Sequence, residues 1–181
     1  MIRNGALVIY KGKPAIAKLT GDKLELVMPG SPTVKVRPKD VELLHPGPMA
    51  AVPEPRLGGD FETAWQMSAG LCLSLESLSE LVFGEFGPAE ALACHREAED
   101  GLRFRVEKGG KGLRATDRGE RDHEAARRSR RESEAEDRES FLTRALKGRF
   151  EPGDERFLGE VEAYAMGATQ RVRLLSELGL P

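Results

Sequence analysis

Hydrophobic residues are spaced in three successive ways along this chain. As far as residue 48 they fall in short β-rich runs: Ala6-Leu7-Val8-Ile9-Tyr10, Ala15-Ile16-Ala17-Lys18-Leu19, Leu24-Glu25-Leu26-Val27-Met28 and Thr33-Val34-Lys35-Val36-Arg37. Gly12 with Pro14, Gly21-Asp22 and Pro29-Gly30-Ser31-Pro32 separate them as turn signals. Val41-Glu42-Leu43-Leu44 follows Pro38-Lys39-Asp40 as a fifth run. Five short strands in so few residues predict a small β-barrel, SH3-like or cold-shock-like, over residues 1–48. Closure is expected because an open sheet leaves its edges unpaired. Residues 49–59 read as a linker: Pro46 and Pro48 lead into it, Pro53 and Pro55 within it remove further amide donors, and Gly58-Gly59 ends the stretch.

From residue 60 the spacing becomes helical. Asp60 is a good N-cap for a helix to about Ser68, with Phe61, Ala64, Trp65 and Ser68 on one face. Ser74 caps a second helix with a stripe of Leu75, Leu78, Leu81 and Val82. Pro88 suits the first position of a third, which runs to about Ala98 and places Ala91, Leu92 and His95 inward. Leu102-Arg103-Phe104-Arg105-Val106 then alternates as a half-buried strand, and Gly109-Gly110-Lys111-Gly112 turns it back through Leu113-Arg114. Three helices and a basic hairpin over residues 60–116 predict a winged helix-turn-helix; Phe104, alternating with Arg103 and Arg105, is expected in its core, the alternative being an exposed ring that stacks on a base.

The third pattern has almost no apolar stripe. Residues 117–150 predict one long charged helix in which Gly119 to Ser140 projects into solvent or bridges two bodies. Acid-first pairs such as Glu124 with Arg128 support it. Phe141, Leu142, Ala145 and Leu146 restore an anchoring face. Residues 151–181 predict further helices, one capped by Asp154 and a last one by Thr169, and the closing Gly179-Leu180-Pro181 reads as a helix exit toward more protein. The fold class is therefore α+β.

Charge changes this picture more than composition does. The chain has 181 residues, a net charge of −2, 32% charged residues and 6% aromatics, which favours small modules over one large core. The first module carries Arg3, Lys11, Lys13, Lys18, Lys23, Lys35, Arg37 and Lys39 against only Asp22, Glu25, Asp40 and Glu42. Such a local excess attracts a polyanion. The candidate contacts are Lys11, Lys13, Lys18, Arg37 and Lys39 of the barrel, and Arg103, Arg105, Lys108, Lys111 and Arg114 of the hairpin. They would neutralise phosphates and give salt-dependent, sequence-independent affinity.

Catalysis finds little support. His45, His95 and His123 have no partner at metal-ligand spacing, and no H-E-x-x-H, C-x-x-C, P-loop or G-x-S-x-G is present. Cys72 and Cys94 lie in apolar helical patterns and read as buried thiols. There is no signal peptide, and no apolar run reaches the ~18 residues of a membrane span. A cytoplasmic protein is expected.

The order of these features resembles a known family. Asn4-Gly5-Ala6-Leu7-Val8-Ile9-Tyr10, Pro38-Lys39-Asp40-Val41, Phe61-Glu62-Thr63-Ala64-Trp65, Leu78-Ser79-Glu80-Leu81-Val82-Phe83-Gly84, the Leu102–Val106 strand and the charged helix ending in Phe141-Leu142 are similar to the region upstream of the catalytic (RNB) domain in ribonuclease II/R exoribonucleases of cyanobacterial, plastid and Deinococcus type. There a small barrel and a helix-turn-helix region replace paired cold-shock domains. The resemblance implies processive 3′→5′ hydrolysis of single-stranded RNA by the parent enzyme, with Mg²⁺ held by clustered aspartates. Here Asp60, Asp100, Asp117, Asp122, Asp137 and Asp154 are scattered, and the family's S1 domain is missing. No catalytic residue and no metal site carries over, so this chain is expected to be a fragment cut before the catalytic domain or a stand-alone relative. Its expected partners are single-stranded RNA and that catalytic domain. The alternatives are a protein–protein adaptor and a winged-helix regulator of duplex DNA. The second is disfavoured by the charges Glu90, Arg96 and Glu97 on the third helix, which suit base readout poorly.

Overall fold

The fold, a computed structural model, describes residues 2–107 and 112–167. Lys108, Lys111 and the helix expected from Thr169 lie outside the described residues. The chain divides into two compact units, Met1–Asp122 and His123–Pro181.

Alternation in the first runs produces a five-stranded antiparallel sheet: β1 (Ala6–Tyr10), β2 (Lys13–Thr20), β3 (Lys23–Val27), β4 (Val34–Val36) and β5 (Glu42–His45), in the order β4-β3-β2-β1-β5. A single 3₁₀ turn, Pro38–Asp40, precedes β5. Ala6, Val8, Ala15, Ala17, Leu24, Leu26 and Val36 form one core on one face, drawn entirely from the sheet's own strands. The opposite face contributes Leu7, Ile9, Ile16 and Leu44 to a second core. Among the described residues no pairing joins β4 to β5, so the expected closed barrel is instead an open sheet. Three-residue β4 is too short to wrap back, and Pro38 removes a donor just where it ends.

The helical lobe comprises α1 (Phe61–Met67), β6 (Cys72–Leu73), α2 (Leu75–Phe83), α3 (Pro88–Asp100), β7 (Phe104–Val106) and β8 (Leu113–Ala115), and its strands pair in the order β6-β8-β7. The expected caps form: Asp60 accepts from the Thr63 amide at 3.0 Å, and the Ser74 hydroxyl accepts from the Ser77 amide at 2.9 Å. Gly84 and Gly101 end α2 and α3 in left-handed conformation. Phe104 is fully buried against Ala64, Trp65, Leu78, Cys94 and Ala98. Trp65 donates its Nε1 proton to the Thr116 carbonyl at 2.8 Å. One expectation is corrected here. Cys72 is an exposed strand residue, because β6 is a two-residue edge strand; Cys94 alone is a buried thiol, and both are free.

Leu92 of α3 enters the second core of the sheet, joined by Met49 and Val52. The proline-rich stretch is therefore a strap pinned along the unit. The Met49 amide donates to the Gly5 carbonyl at 2.8 Å, and the Arg56 amide to the Ala89 carbonyl at 3.1 Å. The close approach at its start needs glycine: a Cβ on Gly47 would sit 2.3 Å from the Gly5 oxygen.

The long helix, α4, runs Arg118–Ala145. In the second unit Phe141 is buried and stacks on Phe157 with ring centroids 4.8 Å apart. Asp154 precedes α5 (Glu155–Ala165) but does not cap it with its side chain. Its buried carboxylate accepts instead from Arg144 and from the Glu151 amide. Leu146, expected to anchor, is exposed.

Candidate nucleic-acid interface

The basic residues singled out by sequence fall into two groups. The hairpin arginines face carboxylates. Arg103 donates its Nε proton to Glu62 at 3.0 Å and its Nη1 proton to Glu97 at 2.9 Å. Arg105 bonds the Gly101 carbonyl at 2.9 Å, which satisfies the end of α3, and reaches Glu120 at 3.4 Å. Arg114 lies 3.8 Å from Glu107, 3.5 Å from Glu120 and 4.0 Å from Asp117.

The same pattern extends through the lobe. Arg121 bonds Glu62 at 2.6 Å and stacks 3.9 Å above the Trp65 ring. Arg56 bridges Glu85 at 2.6 Å and the nearly buried Glu90 at 2.7 Å. Hydrogen bonds from Arg103 and then Arg121 pull the Glu62 carboxyl down from 4.5 to about 2. Glu90 is lowered chiefly by Arg56, and Asp154 chiefly by Arg144. These guanidinium groups hold elements together; their planar forks match carboxylate geometry. Burial pushes the Cys94 thiol up to about 12, which leaves it protonated and inert as a nucleophile.

The sheet lysines behave differently. Lys11, Lys13, Lys18 and Lys39 are exposed, and among the described residues none has a carboxylate within salt-bridge distance. Lys11 sits at the turn with φ +49° and its Nζ 5.4 Å from the Tyr10 ring, and Lys13 opens β2. Lys39 lies in the 3₁₀ turn. Arg37 is the exception on this lobe, paired with Asp40 at 3.1 Å.

Register adds Lys23 and Lys35 to Lys18. Lys18 of β2 stands opposite Glu25 of β3, which stands opposite Lys35 of β4; Lys23 stands opposite Thr20. Directly opposed residues point the same way, so Lys18, Lys23 and Lys35 share one face around a single carboxylate. It is the face that carries Ile16, where the helical lobe ends and solvent begins. Period-two alternation in Lys23-Leu24-Glu25-Leu26 was the signal that would have placed Lys23 outward.

A recess lies within the first unit, beside β5. No group of three or more His, Cys, Asp or Glu side chains among the described residues is placed to hold a metal ion. No helix among them is long and apolar enough to cross a membrane. Compared with protein-family models, curated protein sequences and solved structures, the chain matches none.

Proposed function

We propose that this chain binds single-stranded RNA through the lysine-bearing part of its sheet, as the substrate-guiding N-terminal region of a ribonuclease II-like 3′→5′ exoribonuclease whose Mg²⁺-dependent catalytic domain lies outside it. The carrying observation is the contrast between cations: every described hairpin arginine has a carboxylate partner, whereas among the described residues no carboxylate lies within salt-bridge distance of the exposed sheet lysines. An unpaired, solvated ammonium group can exchange its counterion for a phosphate without breaking a structural bond. Adjacent strands lie ~4.8 Å apart, so Lys18 and Lys35, two strands away from each other, span about 10 Å of a strand's backbone. With no aromatic ring among Lys18, Lys23 and Lys35, this contact positions RNA without reading it.

The finer fold reading belongs to the same proposal. A meander whose last strand returns beside β1 suits an SH3-like barrel left open at one seam. The order α1-β6-α2-α3-β7-β8 suits a winged helix whose wing is braced by ion pairs. The long helix serves as a spacer or docking surface toward the catalytic body, and the setting is cytoplasmic. A duplex-DNA reader is disfavoured: in α3, residues Glu90 to His95 and Ala98 are buried, and what the helix exposes is confined to its C-terminal part, Arg96, Glu99 and Asp100, where two of three charges are acidic.

The test is fluorescence anisotropy of a labelled single-stranded RNA at ~50 and ~200 mM salt, with duplex DNA of equal length as control. Weak binding that favours the RNA and falls steeply with salt is expected, with no hydrolysis when Mg²⁺ is added. Absence of binding at low salt, or equal binding of duplex DNA, overturns the proposal.

A further inference from the structure

A cleft of about 390 Å³ opens between β5 and the helical lobe, within the size range of small-molecule sites. Its polar lining comes from Glu42, Ser74 and His95, and its apolar walls include Leu43, Leu75 and Val106. His95 is 7% exposed, and its Nε2 is buried with no hydrogen-bond partner in the protein. A buried ring nitrogen without a partner is rare in folded proteins because its lost hydration is not returned. At a cleft wall, a ligand can return it. Leu43 and Val106 of the lining are 38% and 48% exposed, so the cleft offers aliphatic surface to a ring entering from solvent.

We propose that this cleft is a nucleobase subsite, selective for a base that presents an exocyclic amino group beside a ring acceptor, as cytosine and adenine do. Three features of the lining point to that chemistry. Among the described residues its lining holds a carboxylate and no lysine or arginine, which suits an uncharged group better than a phosphate. The Glu42 carboxylate accepts only, and an amino group supplies the protons it needs. In its Nε2–H tautomer the His95 imidazole donates, which suits the neighbouring ring nitrogen of the same base edge. Uracil places carbonyl oxygens on both sides of its single N–H and meets the carboxylate unfavourably. Apolar walls around a few convergent hydrogen-bonding groups are also how unstacked bases are held elsewhere. The inference rests on the RNA-binding reading and adds selectivity to a lysine surface that has none; a free nucleoside is the other source of the same chemistry.

The experiment titrates the whole chain with cytidine, adenosine and uridine, following amide shifts around Glu42 and His95, and in parallel measures oligo(C) and oligo(U) by anisotropy. Val106→Trp fills the mouth of the cleft from an exposed position, Glu42→Gln removes the carboxylate, and thermal melting checks that both variants fold. Cytidine and adenosine should bind roughly three- to tenfold tighter than uridine. Val106→Trp should abolish that preference, Glu42→Gln should reduce it, and oligo(U) binding should persist in both. Oligonucleotide binding without base preference, or a preference indifferent to Val106→Trp, overturns the subsite and leaves the RNA reading standing. Cytidine binding in the cleft without any oligonucleotide binding supports the subsite as a nucleoside site and overturns the RNA reading. No binding of either probe overturns both.

Discussion

The sheet lobe and the helical lobe both carry many cations, but they use different ones in different ways. The helical lobe uses arginine, and its described arginines near the hairpin reach across sequence to carboxylates: Glu62 of α1 receives both Arg103 and Arg121, which in turn brace β7 and α4 against α1. The sheet lobe uses lysine, on strand faces and turns; Glu25 stands across from Lys18 and Lys35, but among the described residues no carboxylate lies within salt-bridge distance of these lysines. Arginine's rigid fork loses little freedom for each hydrogen bond it makes and so serves as a brace. Lysine is a strongly hydrated point charge on a flexible stem and gains little from a surface pair. A count of basic residues treats the two lobes alike; pairing separates a structural charge from an available one.

The strongest challenge to that separation reverses the available charges. Lys18→Glu, Lys23→Glu and Lys35→Glu together should weaken single-stranded RNA binding by on the order of a hundredfold at low salt and lower the salt slope by about 2. All three are exposed, so the melting temperature should barely change. Anisotropy and thermal melting of the same preparation check both halves. If the triple variant binds as well as the wild type, the sheet is not the RNA surface.

The converse variant is Arg103→Met. It keeps the aliphatic stem and removes the fork, stranding Glu97, whose side chain is only 16% exposed, and stripping Glu62 of one partner. The helical lobe should lose about 1–3 kcal/mol of stability. Trp65, the single tryptophan, lies beneath Arg121 and reports on this lobe by fluorescence in urea. RNA affinity should stay within about twofold, since a paired arginine contributes no free charge. A large loss of binding with little loss of stability would reverse the roles given to the two lobes.

How far the sequence led follows the same line. Alternation located the strands, and capping chemistry located the helices, because both are local: Asp60, Ser74 and Pro88 start helices where they were expected to. Phe104 was readable as core from its neighbours. The partners of Arg103 and Arg121 were not, since they lie 41 and 59 positions away on Glu62. Two-residue β6 was too short to show alternation, which is why Cys72 was misplaced as buried. The lysine cluster was half visible: Lys18 was chosen on charge, whereas Lys23 and Lys35 join it only through register. The cleft at His95 was invisible, because it needs β5 and α3 side by side.

Acid probes the braces without a mutation. The Glu62 carboxyl is held at about 2, below its ordinary 4.5, by Arg103 first and Arg121 second. A carboxylate lowered in the folded state stabilises it fully above the unfolded value, and that contribution is lost as pH falls through the folded one. Glu90, lowered chiefly by Arg56, has the same sign. The Trp65 signal should therefore show the helical lobe weakening between about pH 4.5 and pH 2. Glu62→Gln should flatten that limb, having no proton to take up. An unchanged acid profile in this variant would show that Glu62 is not the brace the geometry makes it.

The smallest effect is the most discriminating. Arg37 lies on the sheet lobe among available lysines, yet it is paired with Asp40 at 3.1 Å and remains 64% exposed. Location and pairing therefore make opposite claims about it. If pairing decides, Arg37→Ala should change RNA affinity less than about twofold, whereas Lys35→Ala, two residues earlier, should lower the salt slope by about 0.7. Stability should barely move in either variant, because an exposed i,i+3 pair is worth little. Salt slopes of the two variants, measured side by side, decide it. Equal slopes would mean that a phosphate displaces Asp40 as readily as it displaces a counterion, so that location alone defines the interface. A loss confined to Lys35→Ala would show that one surface carboxylate suffices to withdraw an arginine from it.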